Sequence, residues 1–222
     1  KVHIFIPVML ASIVGSMLTT AVFGPVHEFE LFTPISLTSQ HYPLLVVFGI
    51  IMGGVAFAFN HYLILIAKST ESISVVPRLL LAGMITGILG YAVPFSMGTG
   101  ISAISFILGH QYEFLLLFSL LAAKLLATIF ALGLGIPGGT VGPVLGIGAI
   151  AGATAAVIAG IILPGENLTS DYALLGMAGM MAATMSAPLA ALLTITELSN
   201  QIDTILPGMI VITSAYIASG QF

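Results

Sequence analysis

Long apolar runs alternate with short polar connections along this chain. Residues 2–23, 43–67, 79–94, 114–134, 144–163, 173–185 and 205–218 are almost unbroken in apolar side chains, and several reach the roughly 20 residues that cross hydrocarbon as a helix. The connections at 24–42, 68–78, 164–172 and 199–204 are each marked by Pro, Gly, Ser or Asn. A transmembrane barrel strand would alternate apolar and polar residues over about ten positions. FLLLFSLLAAKLLATIFALGL, residues 114–134, does not alternate, so the pattern predicts helices.

The apolar material is itself cut. PFSMGTG at 94–100, GIPGGTVGP at 135–143 and SAP at 186–188 leave pieces, 101–108 and 189–198, that are too short to span alone. Unwound backbone at membrane depth survives only where protein or a water-filled cavity surrounds it, and discontinuous helices of this kind build midplane ion sites in transporters. In GIPGGTVGP, Gly135, Gly138 and Gly139 permit a sharp turn and Pro137 stops the preceding helix. A new helix over 144–163 then opens with amides that have no intrahelical partner. With the positive end of the helix dipole they make an anion site that needs no lysine or arginine. The competing reading is close helix packing, for which GIGAIAGATAA at 146–156 has small residues at the required spacing.

Composition agrees with an all-α integral membrane protein crossing the bilayer several times. The chain is 59% hydrophobic and 5% charged, against about 25% charged in soluble domains, and its mean hydropathy is +1.20. Eight acids and four bases give a net charge of −4, which supplies no polybasic surface for nucleic acid. The absence of cysteine excludes disulfides, cysteine zinc sites and covalent haem attachment. Residues 2–23 lack a small-residue cleavage site after a short apolar core, so they are not read as a signal peptide. Lys68 and Arg78 bracket one loop, which the positive-inside tendency places in the cytoplasm.

The motifs carry a resemblance. GIPGGTVGPVLGIGA (135–149) resembles the segment of the CLC chloride channel and proton-coupled antiporter family in which a glycine-rich turn and a G-x-F-x-P motif open an anion-binding helix. LLGMAGMMAATMSAPLAALLTITELS (174–199) is similar to that family's A-G-M, A-P-L and E-M-T stretch, and ILPGMIV (205–211) to its I-L-P-M-I-I run. PFSMGTG resembles the glycine-rich break upstream, so the likeness is in register over nearly the whole chain.

The resemblance implies the second part of an inverted-repeat fold, from about its ninth helix onward. Residues 1–42 would close the first repeat and its connection, and 43–222 would form the second repeat, with no soluble domain. The family's serine-containing first anion motif, glutamate gate and internal proton glutamate would lie upstream of Lys1, and its coordinating tyrosine past Phe222. A piece with one repeat would not conduct alone. The carry-over is Gly139, Thr140, Val141, Gly142 and Pro143, with the amides of Thr140 and Val141 holding the anion and Gly139 and Pro143 shaping the turn. Val141 stands where the family usually has phenylalanine and Gly142 where it often has alanine, which touches pore width, gating and selectivity. A preference for an anion other than chloride stays open, as does the choice between channel and antiporter.

The family also implies a homodimer in the cell membrane, burying 2–23, 189–198 and 205–218 with Ile202, Ile205 and Leu206 toward the partner, and no cofactor besides the transported anion and, in antiporters, protons. Lys124, mid-way along 114–134, is read as a structural ion pair or a carbonyl contact. Glu197, just before Ser199-Asn200-Gln201, is read as interfacial. His27-Glu28-Phe29-Glu30 lacks H-E-x-x-H spacing, so no metal is expected there. His3, His41, His61 and His110 are scattered, and Asn167-Leu168-Thr169 is a glycosylation triplet of a kind that often arises by chance. Two alternatives to anion transport remain at this level. An intramembrane enzyme would need a nucleophile paired with a base, and no span shows one; an unrelated secondary transporter would have similar broken helices.

Overall fold

The computed structural model describes residues 2–24, 37, 39–109, 113–162 and 168–220. They divide into two units, Lys1–Glu30 and Leu31–Phe222. The first contains α1 (Val2–Phe23), whose 22 residues give a length of about 33 Å at about 1.5 Å per residue. The hydroxyls of Thr19 and Thr20 donate to the carbonyls of Gly15 and Ser16, each at 2.9 Å, so neither is left without a partner in an apolar helix.

The second unit holds α2 (Tyr42–Ser69), α3 (Val75–Ala92), α4 (Ile101–Gly109), α5 (Phe114–Gly133), α6 (Val141–Ile162), α7 (Thr169–Met185), α8 (Pro188–Ser199) and α9 (Ile205–Ala218). No strand occurs among the described residues. The helices α1, α2, α3, α5 and α6 are long and apolar enough to cross a membrane. At the centre of this unit lies α7, buried at every position from Asp171 to Ala183 and packed by α2, α6, α8 and α9.

Contact between α6 and α7 runs backbone to backbone. A Cβ placed on Gly148 would sit 2.5 Å from the Gly176 carbonyl oxygen and 2.8 Å from the Met177 Cα. One placed on Gly152 would overlap the Tyr172 carbonyl. The packing expectation for 146–156 therefore holds at these two glycines, which let the helices approach more closely than side chains allow. A second cluster joins Ala103 and Ile107 of α4 to Leu117 and Leu120 of α5 and Ile150 and Ala153 of α6.

Several boundaries differ from the sequence expectation. Helix α6 begins at Val141 and not at 144, because Gly142 and Pro143 fit its first turn, where a proline loses no intrahelical bond. Helix α3 begins at Val75 inside the stretch read as the 68–78 loop, and α7 at Thr169 inside the 164–172 connection, with Asp171 in its first turn favourable to the dipole. The break at 186–188 is local. Ser186 takes a left-handed conformation (φ 53°), the Ala187 carbonyl accepts from the Ala191 amide at 3.0 Å, and Pro188 opens α8.

His27, Glu28, Glu30, His110 and Asn167 lie outside the described residues, as does the side chain of His3. Among the described residues no three His, Asp or Glu side chains are grouped to hold a metal.

Candidate functional site

The glycine-rich turn is built from both ends. At the end of α5 the Gly135 amide donates to the Leu132 carbonyl at 3.0 Å and the Ile136 amide to the Ala131 carbonyl at 2.9 Å, with Gly135 at φ +92°. This pair of bonds around a left-handed glycine closes a helix C-terminus and reverses the chain. Arg78, on α3, donates through Nε to the Leu134 carbonyl at 3.1 Å. Its cation at the negative end of α5 braces the turn from outside.

Residues 136–139 then run free of helix to Thr140. The Val144 amide donates to the Thr140 carbonyl at 3.0 Å, which makes Thr140 the N-cap and Val141 the first helical residue of α6. Pro143 occupies the third helical position and has no N–H. The amides of Thr140, Val141 and Gly142 are the donors left over, and among the described residues none of the three donates a backbone bond. Thr140 and Val141 are exposed. Three adjacent unpartnered N–H groups at the positive end of a 22-residue helix favour a negative charge.

The upstream break packs directly on this turn. A Cβ on Gly142 would come within 2.8 Å of the Thr99 carbonyl oxygen, and one on Gly100 within 2.9 Å of the Gly142 carbonyl oxygen and 3.0 Å of the Gly146 Cα. Gly100, at φ +102°, also offers its carbonyl to the Ile104 amide at 3.0 Å and so starts α4. Two interruptions separated along the chain by all of α4 and α5 thus meet at the first turn of α6.

Lys124 holds the upstream break in place. Its Nζ donates to the carbonyls of Ser96 at 3.0 Å, Met97 at 3.3 Å and Gly98 at 2.7 Å. It is 1% exposed. Of the two structural readings open in the sequence, carbonyl contact is the one found. The short 3-10 turn Pro94–Ser96 ends there, so the carbonyls of 96–98 have no continuing helix to satisfy them, and the ammonium supplies their donors. Thr128, one turn on, donates to the Lys124 carbonyl at 2.8 Å.

Between these parts is a cavity of about 400 Å³. Ser96, Gly98 and Thr99 of the break, Lys124 and Thr128 of α5, and Gly138, Gly139 and Pro143 of the turn all contribute to its lining. Of the residues expected at the site, Gly139 and Pro143 face the cavity, while Thr140, Val141 and Gly142 form the first turn of α6 beside it. Glu197 is exposed on α8, outside that lining. Arg78 and Ser96 were not legible as parts of this assembly; Arg78 carried only a vote on loop orientation, and a lone serine in PFSMGTG carries no spacing signal.

The model of the family described as voltage gated chloride channel matches residues 1–220. The chain belongs to that family. It is an integral membrane protein with several membrane-crossing helices. Among its relatives is the chloride channel protein CLC-f of Arabidopsis thaliana, 30% identical over 222 residues, covering 91% of this chain and 28% of the relative. The H(+)/Cl(-) exchange transporter ClcA of Vibrio vulnificus is 29% identical over 174 residues, 78% of this chain and 37% of the relative. An uncharacterized protein of Methanocaldococcus jannaschii is 27% identical over 195 residues, 87% and 48% respectively. The chain spans about half or less of the length of these curated relatives. Both a channel and an exchanger stand among the relatives of this voltage gated chloride channel family member, so the family alone does not choose between them.

Proposed function

We propose that this chain supplies one wall of a transmembrane pathway for chloride or a related small monovalent anion, which rests on the amides of Thr140 and Val141 at the start of α6. The observation that carries the reading is the first turn of α6 itself: three leftover N–H groups, no competing acceptor among the described residues, and an adjoining cavity, in a member of a chloride channel family. Neutral amides attract an anion without trapping it as a paired lysine or arginine would, and conduction requires release as well as entry. In this reading residues 1–42 end one repeat and 43–222 form its inverted counterpart, the resident membrane is the cell membrane, and no cofactor takes part. An unrelated transporter fold is set aside by the family membership, and so is an intramembrane enzyme.

The full-length protein reconstituted in liposomes should release chloride faster than protein-free vesicles, read with a chloride electrode. Coupled movement of protons in the same vesicles would mark an exchanger and its absence a channel. Absence of any halide movement from vesicles holding folded protein would overturn the proposal.

The same reading includes a homodimer. Ile202 is 81% exposed, Leu206 55% and Ile205 37%, giving the start of α9 an apolar face. Lipid is as apolar as leucine, so association through this face depends on shape fit. Leu206→Trp should therefore shift the full-length protein from dimer toward monomer when cross-linked in detergent. A wild type that cross-links only as monomer would refute the dimer.

A further inference from the structure

We infer that Arg78 is a positioning residue for anion binding: its Nε–H, held on the Leu134 carbonyl, fixes where the turn at 135–139 delivers the amides of Thr140 and Val141. The inference rests on the reading that those amides hold the anion, and it adds a residue from a different helix, α3, to what sets their affinity.

The turn needs holding because little of it packs. Residues 136–139 belong to no helix, and Gly138 and Gly139 are exposed. A Cβ on Gly138 would have its nearest neighbour, Leu132 Cδ2, at 3.8 Å, and one on Gly139 would have nothing within 4 Å. A segment of this kind takes its position from its two ends. At the α6 end Gly142 lies against Thr99, whose carbonyl oxygen is 2.8 Å from where a Cβ would be. At the α5 end the contact comes from Arg78.

Helix α5 ends at Gly133, so the Leu134 carbonyl lies beyond the helical ladder, and Arg78 donates to it through Nε at 3.1 Å. The guanidinium also lies on the residue that reverses the chain, since a Cβ on Gly135 would come within 2.9 Å of Nη2. Glycine is required at 135 both for its φ of +92° and for the space Arg78 takes. Arg78 stands in the opening turn of α3, where a cation opposes that helix's own dipole. Its placement serves the turn at a cost to α3.

The end of α5 has other supports. The Gly135 and Ile136 amides close it, and it packs on α2, where a Cβ on Gly133 would sit 2.9 Å from Ile66 Cγ2. Losing Arg78 therefore frees the turn while the helix stays. The apparent affinity of a site falls with the fraction of time its donors are in place.

Arg78 could instead act by charge alone, and side-chain chemistry separates the two roles. The Nε2 of glutamine is bonded to Cδ as the Nε of arginine is, so Arg78→Gln keeps a donor at that position and loses the charge. Arg78→Lys keeps the charge, but the atom after Cδ is carbon and the ammonium lies one bond further out.

Alanine, glutamine and lysine variants of the full-length protein, titrated with bromide by calorimetry from halide-free solution, test the inference. Arg78→Ala should raise the bromide Kd about three- to tenfold, the population shift that one half-buried hydrogen bond can hold. Arg78→Gln should restore wild-type affinity, and Arg78→Lys should resemble alanine. A merely structural role would lower the melting temperature and leave the Kd of the folded protein unchanged. That result, or wild-type affinity and stability in Arg78→Ala, overturns the inference. Rescue by lysine and not by glutamine assigns the effect to charge and overturns it as well, as does equal loss in all three variants. Should Arg78→Ala fail to fold, the order of glutamine and lysine decides. Folded wild-type protein that binds no bromide overturns the proposed function, and this inference with it.

Discussion

Val141→Pro is expected to lower the affinity of the full-length protein for halide by roughly ten to a hundred-fold. Proline is well tolerated at the first position of a helix, and Val141 holds that position in α6. The substitution removes one of the three leftover amides and keeps the fold of the turn. Thr140, as the residue before a proline, is pushed toward extended geometry, which suits an N-cap. A hydrogen bond to a charged group is worth about 1.5–3 kcal/mol, which sets the expected range. Val141→Ala retains the amide and should retain most of the binding. Equal halide affinity for the proline and alanine variants in a titration would reduce GIPGGTVGP to a packing turn.

Gly148→Val is expected to cost the protein its stable fold. The Cβ alone would meet the Gly176 carbonyl carbon and the Met177 Cα at 2.8 Å, and these are backbone atoms that cannot rotate away. Helices α6 and α7 would have to separate, and α7 is the buried centre of its unit. Overpacking ordinarily costs about 1–3 kcal/mol, and a clash of backbone on both sides belongs at or beyond the upper end. Gly160→Ala is the matched control. Nothing lies within 4 Å of a Cβ there, and alanine is the better helix former by up to about 1 kcal/mol. Detergent-extracted Gly148→Val protein should lose its monodisperse peak on size-exclusion chromatography, while Gly160→Ala keeps it. A monodisperse Gly148→Val protein with unchanged thermal stability would show that the crossing tolerates separation.

Hydrophobic runs and their interruptions decided the solvent, the helices and the breaks from the sequence alone. Backbone polar groups have no partner in lipid except each other, so a long apolar run has little choice but helix, and Gly or Pro within it must mark a turn. The limits of α9 at 205 and 218 were readable to the residue. The turn at 135–143 and its motif were readable too, because glycine at positive φ and proline in a first helical turn are local requirements. Which face of each helix meets protein was not readable. In α2, Phe48 and Met52 are buried while Val47, Ile50 and Ile51 are exposed, all equally apolar, since lipid and core ask for the same residues and amphipathic periodicity falls silent. Only the tertiary structure brought Lys124 to three carbonyls 26 to 28 residues away, and Arg78 to the Leu134 carbonyl 56 residues away. Partners of that kind are chosen by which unwound carbonyls the packing of the helices places within reach of a cation, and no local spacing encodes that.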